Sequence, residues 1–424
     1  MIIRPVKRLS GEMTVPGDKS ISHRAVMAGA IAGGRTIISN IQDSDDCRHT
    51  IRAFREMGVK ILKGGGVTTV EGKGLYGLKR PVAPIFAGNS GTTMRIMAGI
   101  LSAQAFGSTI AGDSQLSGRP MKRVAEPLAA MGARITLKDG QFPPIDIKPG
   151  NIHPIEHEMT VPSAQVKSAI LFAGLYADGL TSVVEEFKSR DHTERMLKHF
   201  GAAVTVRGFK VSVRGVRELR ARRVEVPGDI SSASFFMAAA AIVKGSRVRI
   251  GGVGINPTRA GIINVLKRMG AKVSVMNRTD GFEPAADIEV AGSGLKGIVI
   301  REREIPSLID ELPVIFVAAS LAAGRTTIEG AGELRVKETD RIRSMKEGLE
   351  AMGGRIRVSG DRIVIDGVEK LNGSRLKSFD DHRTCMALAV AALGAAGDSE
   401  IDDVACVSKS FPKFFDKLNM LKKD

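Results

Sequence analysis

The sequence predicts an α/β fold made of α+β repeats in two domains, and three observations lead to that prediction. A helix end, a glycine and a strand recur five times, with the glycine at positions 58, 132, 201, 270 and 353. A polar turn followed by an Ala-rich helix recurs six times, starting at residues 18, 89, 163, 229, 310 and 381. The two patterns alternate, so the 424-residue chain divides into six units of roughly seventy residues.

Each unit carries the local signals of two helices and several strands. In FREMGVKI the glycine follows an amphipathic helix and precedes β-branched residues, which indicates a helix C-cap and then a strand. In DHRTCMALAVAAL an acidic residue that can cap a helix precedes small apolar residues. These units predict a layered α/β structure. The alternative is a long solenoid, which would need polar capping repeats that the sequence does not show.

A near-duplicate tetrapeptide predicts the domain boundaries. VPGD stands at Val15 to Asp18 and again at Val226 to Asp229. If both copies mark crossings between domains, residues 19–226 form one three-unit domain, and residues 1–18 with 227–424 form the other. A ligand cleft would then lie between the domains.

The composition favours a small anionic ligand. Lys and Arg number 62 against 46 Asp and Glu, a net charge of +16, and a basic surface attracts anions. A nucleic-acid-binding repeat protein is the alternative class. The dispersed cations and the 4% aromatic content argue against it, because base stacking needs aromatic platforms. Cys47, Cys385 and Cys406 form no CxxC pair, so neither a disulfide framework nor a zinc site is expected.

The N-terminal residues and the apolar runs predict the compartment. MIIRPVKRLSGE has no apolar signal-peptide core, and no apolar run approaches the ~18 residues of a membrane span. We therefore expect a cytoplasmic protein of a bacterium or archaeon.

The stretch VPGDKSISHR predicts an anion site at a helix N-terminus. A helix is expected to start near Ser20, with Lys19 just before it and Arg24 on the same face of its first turn. Exposed N–H groups, a hydroxyl and two cations together suit a phosphate. An ordinary capped helix with a solvated basic end has the same pattern.

Similar polar loops open the other helices. AGNSGTTMR offers a glycine-rich approach to Gly91 and Arg95, and Arg119 is held out of a helix by Pro120. Ser163 and Gln165 begin a helix, and Arg190 precedes a cap at Asp191. Each of these signals also fits plain capping chemistry.

The second half of the chain adds the acidic residues. IDELP puts Asp310 ahead of an apolar helix, and RVKETDRIRSM predicts Lys337, Glu338 and Arg341 on one face near a helix start. Arg383 opens another helix and Lys409 stands near the C-terminus. A surface ion-pair cluster is the alternative interpretation. If six helix N-termini converge on one cleft, these cations surround an anionic ligand, with Asp310 and Glu338 available for proton transfer.

Seven motifs, in this order, support a family resemblance: VPGDKSISHRA, GNSGTTMR, SGRPM, SAQVKSA, RVKETDRI, DDHR and KSFP. They span essentially the whole chain and resemble the 5-enolpyruvylshikimate-3-phosphate synthases (3-phosphoshikimate 1-carboxyvinyltransferases) of the enolpyruvyl transferase family. The resemblance implies two domains of three βαβαββ units each, an inside-out α/β barrel, with the active site in the interdomain cleft. It also implies transfer of the enolpyruvyl group of phosphoenolpyruvate to the 5-hydroxyl of shikimate 3-phosphate. That shikimate-pathway reaction releases phosphate through a tetrahedral intermediate and needs neither a metal nor an organic cofactor.

The resemblance also implies residue roles. Shikimate 3-phosphate should be contacted by Lys19, Ser20, Arg24, Ser163, Ala164, Gln165, Arg190, Asp310 and Lys337. Phosphoenolpyruvate should be contacted by Lys19, Gly91, Arg119, Gln165, Arg341, Arg383 and Lys409. In the catalytic set, Asp310 should be the base for the attacking hydroxyl, Glu338 the proton donor to the methylene, and Lys19 a contact to both substrates.

Four positions qualify the resemblance. Ala164 stands where some members have a second serine, and Arg190, expected to bind phosphate, stands where some have tyrosine. Some members have Asn at Glu333, whose role stays open. Gly91 matches members that glyphosate inhibits, so we expect sensitivity.

The nearest enzymatic alternative is the related UDP-N-acetylglucosamine enolpyruvyl transferases. These carry a reactive cysteine in the loop that corresponds to residues 112–123, and this loop has none. The resemblance further implies a monomer that acts on small molecules and binds no nucleic acid or membrane.

Overall fold

The structure, a computed structural model, describes residues 1–423 and forms two compact units. The inserted unit comprises residues 17–226, and the flanking unit comprises residues 1–16 with the chain from Pro227 onward. The expected boundary after Asp18 therefore differs by two residues, since Gly17 and Asp18 lie in the inserted unit. The division into domains of residues 19–226 and of residues 1–18 with 227–424 stays a prediction.

The helices alternate between long apolar and shorter amphipathic segments. In chain order they are α1 (Lys19–Ala30), α2 (Asp45–Glu56), α3 (Gly91–Leu101), α4 (Ser114–Ser117), α5 (Lys122–Ala130), α6 (Ala164–Gly174), α7 (His192–His199), α8 (Ile230–Ile242), α9 (Gly261–Arg268), α10 (Leu312–Ser320), α11 (Arg341–Ala351), α12 (His382–Leu393) and α13 (Phe414–Leu421). Short 3₁₀ helices cover Glu302–Ser307, Gly332–Val336 and Ala405–Lys409.

The strands are short and lie between the helices. In chain order they are β1 (Ile2–Ile3), β2 (Arg8–Thr14), β3 (Ala32–Ser39), β4 (Lys60–Gly64), β5 (Val67–Lys73), β6 (Ile85–Phe86), β7 (Ser108–Ala111), β8 (Arg134–Lys138), β9 (Phe142–Lys148), β10 (Glu156–Glu158), β11 (Leu180–Val184), β12 (Val204–Arg207), β13 (Lys210–Arg214), β14 (Leu219–Arg220), β15 (Arg223–Glu225), β16 (Arg247–Gly254), β17 (Lys272–Thr279), β18 (Ala285–Ala291), β19 (Val299–Ile300), β20 (Arg325–Ile328), β21 (Arg355–Ser359), β22 (Arg362–Asp366), β23 (Arg375–Leu376), β24 (Ser399–Ile401) and β25 (Lys422–Lys423).

The inserted unit contains three mixed sheets with one pairing scheme. Their strand orders are β6-β7-β9-β8, β10-β11-β13-β12 and β14-β3-β5-β4. In each, the first two strands pair in parallel and the remaining neighbours pair antiparallel. The third sheet takes its first position from β14 and β15, which come from the end of the unit.

The flanking unit follows the same scheme in two of its three sheets. Their orders are β2-β16-β18-β17, with β25 added beside β2, and β19-β20-β22-β21. The last sheet has only β23, β24 and β1, so the N-terminal strand stands where a later strand of the repeat would lie. The predicted βαβαββ repeat is thus confirmed, with this departure at the final copy.

The Ala-rich helices lie inside each unit. Every residue of α10 and α12 is buried, and strands such as β9 alternate between buried and exposed residues. Sheets therefore cover the helices with one face, which is the predicted inside-out arrangement. Small residues allow the close approach: a Cβ on Gly99 in α3 would lie 2.1 Å from the carbonyl oxygen of Ala169 in α6.

The predicted helix ends at the repeated glycines and the predicted starts of the Ala-rich helices are confirmed. The five repeated glycines all have positive φ, from +83° at Gly58 to +96° at Gly132, and each follows a helix and precedes a strand. Such a left-handed C-cap residue is best served by glycine. Each of the six Ala-rich helices starts within two residues of the predicted polar turn.

Candidate active site

Helix α1 begins with the VPGD turn and brings three predicted ligands together. Asp18 caps it by accepting a hydrogen bond from the Ile21 N–H, so the helix starts at Lys19, one residue earlier than expected. Lys19 Nζ lies 2.8 Å from Asp46 Oδ2. Ser20 is partly exposed in the first turn. The α1 N-terminus therefore combines N–H groups, a hydroxyl and an ammonium at one place.

The side chain of Arg24 is buried. It is 2% exposed, and its Nε and Nη2 donate to Thr193 Oγ1 at 2.6 Å and Ser168 Oγ at 2.8 Å. Its Nη1 donates to the Ser20 carbonyl at 3.0 Å. The alternative of a solvated basic helix end is therefore wrong for Arg24, because side chains of α6 and α7 cover it. Arg24 fixes Ser20 and joins three helices.

Helices α3 and α6 are joined at their N-termini by Gln165. Arg95 Nη1 donates to Gln165 Oε1 at 2.6 Å, and Gln165 Nε2 donates to Thr92 Oγ1 at 2.9 Å. A Cβ on Gly91 would lie 2.8 Å from Arg95 Nη1 and 3.4 Å from Arg119 Nη1. Both guanidinium groups therefore flank the Gly91 backbone, where a bound carboxylate or phosphate would be well matched.

Arg119 is held in a loop, as predicted. It lies between α4 and α5, partly exposed, and its N–H donates to the Leu116 carbonyl. Asp113 caps α4 by accepting from the Leu116 N–H. The turn that fixes Arg119 is thus set by local hydrogen bonds.

Ser163, Ala164 and Arg190 complete the predicted set of the inserted unit. Ser163 caps α6 by accepting from the Val166 N–H, and Ala164 is the first helical residue. Arg190 precedes α7, and its Nη1 lies 3.5 Å from Ser20 Oγ. The expected Asp191 cap is wrong: its carboxylate makes no cap hydrogen bond and instead accepts from Arg195 Nε at 2.9 Å.

A buried hydrogen-bond chain behind this site was not predicted. His23 Nδ1 and Thr50 Oγ1 are 2.7 Å apart, and Thr50 Oγ1 is 2.7 Å from Thr93 Oγ1. Thr93 donates on to Ser90, the cap of α3. Burial, and then the charges of Lys19 and Arg24, lower the pKa of His23 well below its usual value, so the ring is neutral. The chain fixes the Gly91 turn, and only the tertiary arrangement brings its members together.

The flanking unit centres on Arg341. This residue is 1% exposed and contacts three carboxylates, with distances of 2.8 Å to Asp381, 2.5 Å to Glu338 and 3.6 Å to Asp310. These acids raise its pKa against the opposing effect of burial. The Asp381 side chain is 0% exposed, whereas those of Asp310 and Glu338 are 16% and 17% exposed. Asp381 is therefore structural, and the other two carboxylates remain accessible to a substrate.

Arg383 and Lys409 lie around the same acids. Arg383 Nη1 donates to the Asp310 carbonyl at 2.9 Å, and its Nη2 is 3.5 Å from Asp310 Oδ2. Lys409 Nζ contacts the exposed Asp380 at 2.7 Å. Arg383 thus fixes the Asp310 backbone, and Asp380 tethers Lys409 to the turn before α12.

Lys337 and Glu338 do not lie on the helix that the sequence predicted. Asp340 caps α11 by accepting from the Ile342 and Arg343 N–H groups, so the helix begins only at Arg341. The two residues lie in the bend between a 3₁₀ helix and α11. Burial, opposed by Asp310 and other nearby acids, lowers the pKa of Lys337 to about 8.

A second buried network, also not predicted, supports the start of α10. Arg259 contacts Glu311 at 3.2 Å and Asp229 at 3.5 Å, and it donates to Ser231 Oγ at 2.6 Å. Ser231 also contacts Glu311. Glu311 precedes α10 and Ser231 lies in α8, so the network joins these two helices next to Asp310.

The described residues place further limits on the site. Within residues 1–423, no group of three or more His, Cys, Asp or Glu side chains could hold a metal ion. No helix in that range is long and apolar enough to cross a membrane. The three cysteines are buried and unpaired by disulfides.

Comparison with known proteins agrees with this arrangement. The family model of EPSP synthase (3-phosphoshikimate 1-carboxyvinyltransferase) matches residues 3–418. The chain is 50% identical over 421 residues to a 3-phosphoshikimate 1-carboxyvinyltransferase of Bacillus cytotoxicus, covering 99% of each. For the Shouchella clausii enzyme of that name the identity is 49% over 416 residues, covering 98% of this chain and 97% of the relative. A solved structure of EPSP synthase from Acinetobacter baumannii is similar with a TM-score of 0.89 and 45% identity, covering 99% and 97% of the two chains.

The six-repeat fold, the cationic helix ends and the paired carboxylates define a transferase of enolpyruvyl groups. The chain belongs to the EPSP synthase (3-phosphoshikimate 1-carboxyvinyltransferase) family. Its reaction is transfer of the enolpyruvyl group from phosphoenolpyruvate to shikimate 3-phosphate in aromatic amino-acid biosynthesis. This membership sets aside the UDP-N-acetylglucosamine alternative.

Proposed function

We propose that the site residues of both units act together on one pair of substrates bound in a cleft between the units. Shikimate 3-phosphate is assigned to Lys19, Ser20, Arg24, Ser163, Ala164, Gln165, Arg190, Asp310 and Lys337. Phosphoenolpyruvate is assigned to Lys19, Gly91, Arg119, Gln165, Arg341, Arg383 and Lys409. The strongest support is the contact of Asp310 and Glu338 with one buried guanidinium, that of Arg341.

The proposed chemistry uses these two carboxylates in turn. Asp310 accepts the proton of the 5-hydroxyl as its oxygen bonds to C2 of phosphoenolpyruvate, and Glu338 donates a proton to C3. The resulting tetrahedral intermediate loses phosphate from C2 and a proton from C3, which restores the double bond. The base acts on the hydroxyl that attacks C2, and the acid acts on the neighbouring C3. Two separate carboxylates that contact the same Arg341 guanidinium suit this requirement.

The cations stabilise the anionic groups throughout. Fixed guanidinium and ammonium groups bind the carboxylate and phosphate of phosphoenolpyruvate without reorganising during the reaction. Arg341 is the best fixed of them, because its three ion pairs and its burial hold one orientation.

The direct experiment measures phosphate release from phosphoenolpyruvate with and without shikimate 3-phosphate. We expect release only with both substrates. Equal release in the absence of shikimate 3-phosphate would contradict the assignment of a two-substrate site.

Sensitivity to glyphosate is proposed from the two guanidinium groups that flank the Gly91 backbone. An inhibitor that carries a carboxylate and a phosphonate would meet the Arg95 and Arg119 guanidinium groups there. We expect inhibition that competes with phosphoenolpyruvate, measured by initial rates at varied substrate. Inhibition that leaves the apparent KM for phosphoenolpyruvate unchanged would contradict this proposal.

We further propose that the protein acts as a cytoplasmic monomer and binds neither membranes nor nucleic acid. The dispersed +16 charge and the scarcity of aromatic residues argue against nucleic-acid binding. Sedimentation equilibrium tests the monomer. A titration with single-stranded RNA tests the remaining alternative, and tight binding that falls steeply with salt would favour it.

A further inference from the structure

A buried charge cluster lies behind the predicted phosphate ligand Arg190. Lys167 Nζ is 2.8 Å from Glu185 Oε2 and 2.7 Å from Glu194 Oε1. The three side chains are only 1%, 2% and 4% exposed. Isolated buried charges are strongly disfavoured, so one ammonium between two carboxylates ties their positions together.

The cluster connects three separate segments of the inserted unit. Lys167 lies in the first turn of α6, Glu185 follows β11, and Glu194 lies in the first turn of α7. Glu185 also accepts hydrogen bonds from the N–H of Ser189, at 3.1 Å, and from its hydroxyl. Lys167 Nζ lies 3.5 Å from the Ser189 carbonyl. The Lys167 ammonium therefore contacts the Ser189 backbone just before Arg190 and the Glu194 side chain four residues after it.

The residues next to Lys167 and Glu194 in the sequence contact Arg24, which lies in α1 near Ser20. Ser168 and Thr193, next to Lys167 and Glu194, are 2.6 Å apart, and both accept hydrogen bonds from Arg24. Arg190 itself reaches Ser20 Oγ at 3.5 Å. The charge cluster therefore lies next to the residues that contact Ser20, at the start of α1, where shikimate 3-phosphate is proposed to bind.

We propose that Lys167, Glu185 and Glu194 are positioning residues that hold Arg190 against the 3-phosphate of shikimate 3-phosphate. The inference rests on the proposed function, because Arg190 must be a phosphate ligand for it to hold. The two charge-assisted contacts of the Lys167 ammonium order the segment around Arg190 before the ligand binds. Binding of the phosphate by Arg190 therefore costs less conformational entropy. Burial raises the pKa of Glu194, and Lys167 opposes that shift.

The test compares binding of shikimate 3-phosphate and of shikimate, which lacks the phosphate, by calorimetry. In Lys167→Met we expect affinity for shikimate 3-phosphate to fall about tenfold or more, by analogy with the loss of outer-shell support at ligand sites. Affinity for shikimate should stay within about twofold, because it has no group for Arg190. Equal losses for both ligands, or no loss for either, would overturn the proposal.

A second variant keeps the test decisive if Lys167→Met fails to fold. The triple variant Lys167→Met, Glu185→Gln, Glu194→Gln removes the charges together, and such neutral replacements of buried ion clusters are often tolerated. The triple variant should fold and should show the same selective loss of affinity for shikimate 3-phosphate. Wild-type affinity for shikimate 3-phosphate in a folded triple variant would contradict the proposal.

Two controls separate positioning from general instability. Val213→Ala removes a buried side chain near Gly174, at the other end of α6, and should lower the Tm without changing the affinity ratio of the two ligands. Glu156→Gln removes the exposed ion-pair partner of Lys210 and should change neither the Tm nor the affinity ratio. Failure of the wild type to bind shikimate 3-phosphate would refute the proposed function itself, whereas unchanged variants would refute only this inference.

Discussion

The Gln165 side chain accepts a hydrogen bond from Arg95 Nη1 at 2.6 Å and so joins the N-termini of α3 and α6. The same side chain donates to Thr92 at 2.9 Å, which fixes its orientation. Gln165 therefore sets the direction of the Arg95 guanidinium beside Gly91. Replacing Gln165 should therefore affect the Gly91 turn as well as its proposed contact with the substrates.

Gln165→Ala should reduce kcat/KM about 10- to 100-fold, because a hydrogen bond to a charged group contributes about 1.5–3 kcal/mol. Initial rates with each substrate varied will measure the loss. The matched control is Gln141→Ala, an exposed position between β8 and β9, which should leave the rates unchanged. Wild-type kinetics in Gln165→Ala would exclude the side chain from the site.

Gly91→Ala should raise the KM for phosphoenolpyruvate about tenfold, equivalent to about 1.4 kcal/mol. The added methyl would lie 2.8 Å from Arg95 Nη1, the movable end of a side chain, so the fold should tolerate it while the guanidinium is displaced. The KM for shikimate 3-phosphate should change little. Gly64→Ala, which meets no atom within 4 Å, is the control. Equal rises in both KM values would count against the assignment of Gly91 to phosphoenolpyruvate.

Glu338→Gln should lower kcat about 10²- to 10⁴-fold, the usual contribution of general acid–base catalysis, and preserve substrate binding. The amide can still accept the Arg341 hydrogen bond but cannot supply the proton for C3. Stopped-flow turnover and calorimetric binding measure the two effects separately. Glu347→Gln, at an ion pair with Arg343 on the same helix, is the control. Near-normal turnover would remove Glu338 from the proposed role.

Lys337 should make the binding of shikimate 3-phosphate pH-dependent. Burial lowers its pKa to about 8, so the ammonium loses its proton as the pH rises through about 8. The KM for shikimate 3-phosphate should then rise above that pH. Asp310, Glu333, Glu338 and Arg341 all act on this group, so the profile should be compared with that of Lys337→Met. A variant with the wild-type pH profile would rule out Lys337 as its source.

The same lowered pKa predicts a stability effect of opposite sign. An unfolded lysine has a pKa of about 10.4, so between pH 8 and that value the folded state binds fewer protons and stability rises with pH. Below pH 8 the buried charge costs stability in full. Lys337→Met should therefore raise stability at pH 7 by up to about 3 kcal/mol and flatten the rise above pH 8, measured by chemical denaturation. Lys267→Met, at an exposed site on α9, should change neither the stability at pH 7 nor its pH dependence above pH 8.

Local chemistry is what made much of the fold predictable. A glycine after Met57 or Met131 ends a helix because of its left-handed conformation, and Asp18 or Asp381 begins one by accepting N–H hydrogen bonds. Such features depend on a few neighbouring residues. The repeated helix ends and the polar turns at helix starts could therefore be predicted from the sequence.

The remaining features depend on distant contacts. Arg24 is buried because Ser168 and Thr193 cover it, and no pattern around residue 24 shows that. The chain through His23, Thr50 and Thr93 exists only where three helices meet. Lys167 did leave one signal, as the single charge in an apolar helix, but its two acidic partners lie 18 and 27 residues further along.

Strands β14 and β15, which complete the sheet that contains β3, have a consequence for biosynthesis. On a ribosome, β3 emerges early, yet β14 and β15, which pair with it, follow only at Leu219 to Glu225. Until then one edge of β3 has open hydrogen-bonding groups, which in general attract wrong strands. Nascent chains halted before Leu219 should therefore be captured by chaperones or proteases more readily than chains halted after Glu225.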